Sequence, residues 1–340
     1  MSKDICKQLP GSKVRTLSVF FLTVLCLFVS TTQIANADYS THQKGIKFIA
    51  DMVVEHKLNS ADVTAALRKA KRNDRVLELI SKPAEKRLQW HDYRKIFLTD
   101  ERIDAGVSFW EKHEKILEKA QLRYGVPASV IVAIVGVETF YGRISGGFSA
   151  LDALSTLAFD YPPRSSFFTS ELAQFFLLAK ENNLDIDTLE GSYAGAFGLP
   201  QFISSSYRSY AIDFDGDNER DLWRSVPDVV GSVANYFYRH GWKNGQAVVE
   251  KTDITKAAKK LIVDSPRPKT SYKSLTEAGI YPKRKGTGKH ALLKLQAESG
   301  AEYWVAHHNF YVITRYNHSN LYAMAVHQLS QEIKSRKNNR

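Results

Sequence analysis

The spacing of apolar positions changes along the chain and divides it into successive stretches. From Thr41 to about Gln121, apolar residues recur every three or four positions among dispersed charges, as in HQKGIKFIADMVVEHK, SADVTAALRKAKR and RIDAGVSFWEKHEKILEKAQLRYG. That period gathers them on one face of successive amphipathic helices. Ser60 with Asp62, and Asp100 further on, stand where N-caps belong. Next comes VPASVIVAIVGVETFYGR, residues 126–143, which apart from small residues is apolar all round until Glu138. This predicts a helix buried on every side. A second apolar helix, Ser170 to Lys180, follows the turn Asp160-Tyr161-Pro162-Pro163. Then come a Gly-rich loop, GSYAGAFGLPQF, an acidic loop, DFDGDNERD, and a helix from Asp228 to His240. Between about 244 and 308 the chain turns Lys-rich, carries Pro266, Pro268 and Pro282, and alternates in KHALLKLQ and EYWVAHHNFYVIT. That composition predicts a small separate lobe with strand content. Leu321 to Lys334 returns to helix.

The pattern therefore predicts a mainly α protein of α+β type. It has a helical N-terminal lobe at 38–120, a core at 121–243, an inserted α/β lobe at 244–308, and a return to the core with a tail at 309–340.

The first 37 residues change what the rest must be. Lys3, Lys7, Lys13 and Arg15 precede an apolar run from Leu17 to Val29, and Ala35-Asn36-Ala37 has the small-x-small pattern of a signal-peptidase site. The expected cut is before Asp38. A 13-residue run falls short of the about 20 needed to span a membrane, so an uncleaved anchor is the weaker alternative. Cys26 lies inside the run behind a bulky Leu25, which speaks against a lipid anchor. The mature chain of 303 residues is long enough for a large core and retains neither Cys6 nor Cys26, so its stability rests on packing. Its net charge falls from +11 to +8. A basic surface suits a polyanionic partner, and export argues against nucleic acid. The expectation is a periplasmic monomer with no stable membrane insertion.

Glu138 carries the most chemistry. A carboxyl held against apolar and aromatic neighbours loses hydration, which disfavours its charged form. Such a group can stay protonated near neutrality and give its proton to a leaving oxygen. A helix-end glutamate that pairs with Arg143 or faces solvent is the plainer alternative. The Gly-rich loop has glycines at 191, 195 and 198, which allow close approach of backbone to a ligand. It ends on Gln201, a planar amide able to hold sugar hydroxyls or an N-acetyl group. Tyr93, Tyr161, Tyr236, Phe237, Tyr316 and Tyr322 supply aromatic surface of the kind on which sugars stack, although each alone suits a core better than a site.

The acidic loop places Asp213, Asp215, Asp217, Glu219 and Asp221 at positions 1, 3, 5, 7 and 9, close to the oxygen-donor spacing of an EF-hand. It departs from that pattern at position 6, where Asn218 replaces Gly, and at position 12, where Arg224 replaces Glu. A structural Ca²⁺ and a solvated acidic loop are the two readings.

Five blocks in order resemble the membrane-bound lytic murein transglycosylase B family: VPASVIVAIVGVETFYGR, LDALSTLAFDYPPRSSFF, GSYAGAFGLPQFISSSY, GSVANYFYRHGW and NFYVITRYNHSNLYAMAV. The resemblance runs in order from about Trp90 to Val326. The resemblance implies a lysozyme-like core with a flanking helical lobe and a small inserted one. It implies that Glu138 is the acid/base glutamate and that Ser192 and Gln201 face the sugar beside the cleaved bond. Tyr93, Tyr161, Arg164, Tyr236, Tyr316, Asn317 and Tyr322 would line the glycan groove. The two-arginine turn of some members is Pro163-Arg164 here, and the lipid anchor is missing. Asp228 would close the cation site. The implied reaction cleaves the bond between N-acetylmuramic acid and N-acetylglucosamine and closes a 1,6-anhydro ring, with no catalytic cofactor. Ordinary glycosidases use two carboxyls; the nearest second candidates, Asp152 and Asp160, read as helix-cap or turn residues. A water-using muramidase and a non-catalytic peptidoglycan-binding protein are the alternatives.

Overall fold

A computed structural model describes residues 38–82, 87–144, 146–283 and 288–340. The expected signal segment, 1–37, lies outside the described residues. Among the described residues no single helix is long and apolar enough to cross a membrane.

The N-terminal part is helical, as the period predicts: α1 (Gln43–His56), α2 (Ser60–Lys69), α3 (Asp74–Ile80), α4 (Trp90–Phe97), α5 (Asp100–Lys112) and α6 (Glu114–Tyr124). The caps sit one residue earlier than expected. Asn59 accepts the Ala61 amide and Thr99 accepts the Arg102 amide. Ser60, Asp62 and Asp100 lie inside the first turn, where the acids complement the helix dipole without capping it.

α7 (Ala128–Thr139) is the predicted helix buried all round. Val130 to Val135 are each at most 3% exposed, and each valine and isoleucine among them contributes roughly 1.5–3 kcal/mol of burial. α8 (Ala150–Asp160) packs on α9 (Ser165–Glu181), which begins five residues before the expected start because the segment continues directly from a 3₁₀ turn at Pro162–Arg164. Short strand pairs then shape the Gly-rich loop. β1 (Phe148–Ser149) pairs with β2 (Glu190–Gly191), and β3 (Ala196–Phe197) with β4 (Phe202–Ile203). After α10 (Ser204–Tyr210), α11 (Val226–Arg239) follows the acidic loop and packs on α6 and α7.

The Lys-rich stretch holds an antiparallel sheet in the order β5-β7-β6, from β5 (Val249–Thr252), β6 (Ala291–Ala297) and β7 (Gly300–Ala306), with α12 (Tyr272–Glu277) between β5 and β6. Alternation along β6 serves two cores. Leu292 joins Leu275, Ile280 and Val305 in a small local cluster, whereas Leu293 and Leu295 join the main core. The run EYWVAHHNFYVIT is strand only as far as Ala306. From His308 it is helix α13 (His308–Tyr316), because Phe310, Ile313 and Thr314 must all face the core at helical spacing. α14 (Asn320–Asn338) crosses α7 and also packs on α4, α5 and α13. It is this helix that completes the site.

Candidate active site

Glu138 is the penultimate residue of α7. Its carboxylate Oε1 accepts a hydrogen bond of 2.5 Å from the hydroxyl of Tyr322, in the first turn of α14. Tyr316 lies parallel to Tyr322, with 6.4 Å between ring centres, and Tyr236 packs against Tyr316 at 4.9 Å. Burial, with the charge of Glu138 next, pushes the hydroxyls of Tyr316 and Tyr322 well above the ordinary tyrosine range. Burial, together with Tyr210 and Glu138, does the same for Tyr236. All three stay neutral donors at any physiological pH. Tyr93 adds its field to Tyr322 and packs on Phe97.

The turn after Glu138 is held under strain. Phe140 and Tyr141 have φ of 50° and 59°, a left-handed conformation that costs a residue with a Cβ roughly 1–2 kcal/mol. Packing offsets it. The Tyr141 hydroxyl donates to the Arg102 carbonyl at 3.1 Å, and its ring occupies space that a Cβ on Gly106 or Gly136 would fill. The Phe140 ring carries the guanidiniums of Arg102 and Arg143 at 4.5 and 4.6 Å, and Arg143 pairs with Glu101 at 2.8 Å. Arg102 also stacks on Phe97 at 5.2 Å. α4 thus supports the acid from two sides, through Tyr93 beside Tyr322 and through Phe97 beneath Arg102.

The Gly-rich loop is pinned to the same helix end. The Thr139 hydroxyl donates to the Leu199 carbonyl at 2.9 Å, and the Tyr316 hydroxyl donates to Pro200 at 2.5 Å. These bonds fix Gln201, half-buried with φ 51°, whose amide nitrogen donates to the Gly198 carbonyl. Gly195 and Gly198, with φ of 72° and 64°, admit no Cβ without collision with Leu154 and Leu222. Ser192 accepts the amides of Ala194 and Ala196 and so closes the tight turn.

The expected groove residues divide into two groups. Tyr93, Tyr236 and Tyr322 are at most 6% exposed and serve the carboxyl and the aromatic packing more than they offer open ring faces. Arg164 is exposed, stacks on Phe167 at 4.2 Å, and lies near enough to His318 to depress its pKa, after burial and Arg315. That places it by the α13–α14 turn, where Asn317 is the half-buried C-cap. Tyr161 is half-buried against Phe168. The second-carboxyl candidates are structural. Asp152 accepts the Lys71 amide, and Asp160 accepts the Tyr39 hydroxyl and faces Arg72 at 3.4 Å. Arg102, Thr139, Phe140 and Phe202 were not singled out by sequence; the left-handed pair after Glu138 has no glycine to mark it.

The profile of the family described as "Transglycosylase SLT domain" matches residues 41–331. The chain belongs to this family. It is 41% identical over 308 residues to membrane-bound lytic murein transglycosylase B of Escherichia coli K12, covering 87% of this chain and 84% of that protein. The crystal structure of soluble lytic transglycosylase SltB1 from Pseudomonas aeruginosa is similar at 45% identity with a TM-score of 0.82, covering 86% of this chain and 98% of that one. The 2.1 Å structure of Escherichia coli lytic transglycosylase Slt35 in complex with calcium is similar at 40% identity with a TM-score of 0.81, covering 89% and 96%. The mainly helical, lysozyme-like fold expected from the sequence is the fold of this family.

In this family member the acidic loop gathers only part of its expected set. Ligand atoms of Asp213, Asp215 and Asp228 lie within 4.8 Å of one another. Asp213 also accepts the amides of Gly216 and Asn218, and Asn218 takes the left-handed φ of 72° that asparagine tolerates. Asp228 is fully buried at the start of α11, accepts the amides of Phe214 and Asp221, and has its pKa raised by burial, with Asp215 and Asp213 adding to the shift. Asp221 caps the amides of Trp223 and Arg224, Asp217 accepts the Glu219 amide, and Glu219 is exposed. Three hard oxygen donors converging in this way fit a divalent ion.

Proposed function

We propose that this chain is a lytic transglycosylase that cleaves the β-1,4 bond between N-acetylmuramic acid and N-acetylglucosamine in peptidoglycan and leaves 1,6-anhydromuramic ends. One observation carries the reading: a single carboxyl, Glu138, fixed by a neutral tyrosine, with the neighbouring acids Asp152 and Asp160 committed to structure. A two-carboxyl hydrolysis needs a partner at about 5 Å or roughly 6.5–9.5 Å, and both of these acids are taken up by other partners.

In this mechanism Glu138 gives its proton to the glycosidic oxygen and the bond to the anomeric carbon breaks. The substrate's N-acetyl group assists at that carbon. Glu138, now a base, takes the proton of the muramic C6 hydroxyl, whose oxygen bonds to the anomeric carbon. No water is consumed. Tyr322 holds the carboxyl in place through both steps, Ser192 and Gln201 present the loop to the adjoining sugar, and Tyr161, Arg164, Tyr316 and Asn317 border the groove. The core at 121–243 and 309–340 carries the chemistry, flanked by the lobes at 38–120 and 244–308. A Ca²⁺ held by Asp213, Asp215 and Asp228 would tie the loop to α11, whose Tyr236 packs on Tyr316, so its effect on the site is indirect. The same reading places the mature protein in the periplasm after cleavage before Asp38. Mass analysis of digested peptidoglycan tests the central point: anhydro-muropeptides, one water lighter than hydrolytic products, are expected. Reducing-end muramic acid as the main product would establish a muramidase.

A further inference from the structure

The Lys-rich lobe is the region the mechanism above leaves unused. Residues 244–308 carry twelve Lys and Arg against six Asp and Glu, so most of the mature chain's net positive charge sits in about a fifth of its length. The cations are not scattered at random over it. β6 is an edge strand, and residues 262–270 leave and rejoin it beside its N-terminal end. Ile262 bridges to Leu292, the Val263 amide donates to Leu292 at 2.9 Å, and the Lys269 amide donates to His290 at 3.0 Å. Lys259, Lys260, Arg267, Lys269 and Lys289 lie in this segment or next to its two anchor points, all exposed, none in an ion pair among the described residues.

Lysines and prolines beside a sheet edge can serve only to discourage strand pairing. The position of this margin goes further. The side-chain amide of Asn320 donates to the Asp264 carbonyl at 2.6 Å. Asn320 opens α14, the helix that brings Tyr322 to Glu138, and follows Asn317 and His318 of the α13–α14 turn. Exposed Arg164 stands by the same turn. The segment that carries these cations is therefore tied to the turn before α14, which the proposed function sets beside the glycan.

We propose that Lys259, Lys260, Arg267, Lys269 and Lys289 form a docking margin for the carboxylate-bearing peptide stems of the polymer whose glycan enters the groove. This rests on peptidoglycan being the substrate. Stem carboxylates recur along the strand, so several unpaired cations in a row match them by repetition of charge, without a shaped pocket. Such contacts are individually weak, collective, and screened by salt.

The test uses the mature chain with Glu138→Gln, so that the polymer stays intact, and measures co-sedimentation with purified sacculi. Lys259→Glu, Lys260→Glu, Lys269→Glu and Lys289→Glu together should weaken retention at least tenfold at about 50 mM salt. Native-charge protein should lose retention as salt rises, and the reversed variant should not. Removing the stems with an amidase should lower retention of the native-charge protein by a similar factor and leave the variant unchanged. Retention within twofold for the variant, or undiminished binding of native-charge protein to stem-free glycan, would overturn the proposal. So would equal binding to phosphatidylglycerol vesicles with no effect of stem removal. If the reversed variant does not fold by circular dichroism, the four Lys→Gln substitutions give the same test with a smaller fall. Failure of the peptidoglycan reading shows separately, as absence of anhydro products from the native enzyme.

Discussion

Two carboxyl sites in this chain, Glu138 and the acidic loop, show how surroundings decide what an acid can do. Glu138 meets a neutral hydroxyl from Tyr322 and lies within the fields of Tyr316 and Tyr236. That environment suits the proton exchange proposed for this group. Asp228 is buried too, yet it meets two backbone amides and two further carboxylates, Asp213 and Asp215. There the charges accumulate and call for a counter-ion. On the proposed reading, one site would concentrate proton transfer in a single group and the other would spread a structural role over several.

The comparison breaks most sharply at Glu138. Glu138→Gln keeps the shape and the Tyr322 contact but cannot deliver a proton, and a positioned acid/base group contributes about 10²–10⁴-fold. Lytic turnover should fall by that factor with an unchanged melting temperature. Residual activity above a few per cent would mean that another group is the acid.

Tyr322→Phe asks whether the neutral partner matters. A hydrogen bond to a charged group is worth about 1.5–3 kcal/mol, so kcat should fall roughly ten- to a hundredfold with KM little changed. An equal loss in kcat with Phe140→Gly would show that the strained turn positions the same carboxyl. Glycine there removes the left-handed penalty, so stability should hold or rise while turnover drops; a parallel loss of both would mark Phe140 as packing only.

The acidic loop answers to chelation. A ligand that binds only the native state at 100 times its dissociation constant adds about 2.7 kcal/mol. EDTA should lower the melting temperature by several degrees, calcium should restore it, and Asp213→Ala should erase the difference. Turnover at low temperature should persist. An unchanged melting curve would leave the loop a solvated turn.

How much of this was legible in the sequence follows from range. Glu138 announces itself because ten apolar or small residues precede it in one helix, and the acidic loop because its donors alternate over nine positions. Both are local patterns. The bond from Tyr322 to Glu138 spans 184 positions and no periodicity predicts it. Asp228, rather than position 12 of the loop, joins Asp213 and Asp215 because α11 folds back onto the loop. The left-handed turn at Phe140 and Tyr141 was hidden because such turns are expected at glycine or asparagine, whereas here Tyr141 is held by long-range packing on Phe109 and Arg102. The strand-to-helix change at His307 was equally hidden, since apolar residues run through it unbroken.

The smallest effect isolates burial itself. His327 lies on α14, beyond Tyr322, with a buried Nδ1 that has no hydrogen-bond partner, and burial alone lowers its pKa to about 4 from the ordinary 6.5. Unlike Glu138 it has no donor to orient it, and unlike Asp228 it has no opposing amides or neighbouring charges. The folded state therefore resists protonation that the unfolded state accepts. Stability from this group is fully present above pH 6.5 and is lost progressively as pH falls toward 4, below which both states are protonated and no further loss accrues. Denaturant midpoints measured across that window should decline for the native chain, and His327→Leu should flatten the His-linked part of the slope. The same slope in both proteins would place the acid sensitivity elsewhere, with the carboxylates.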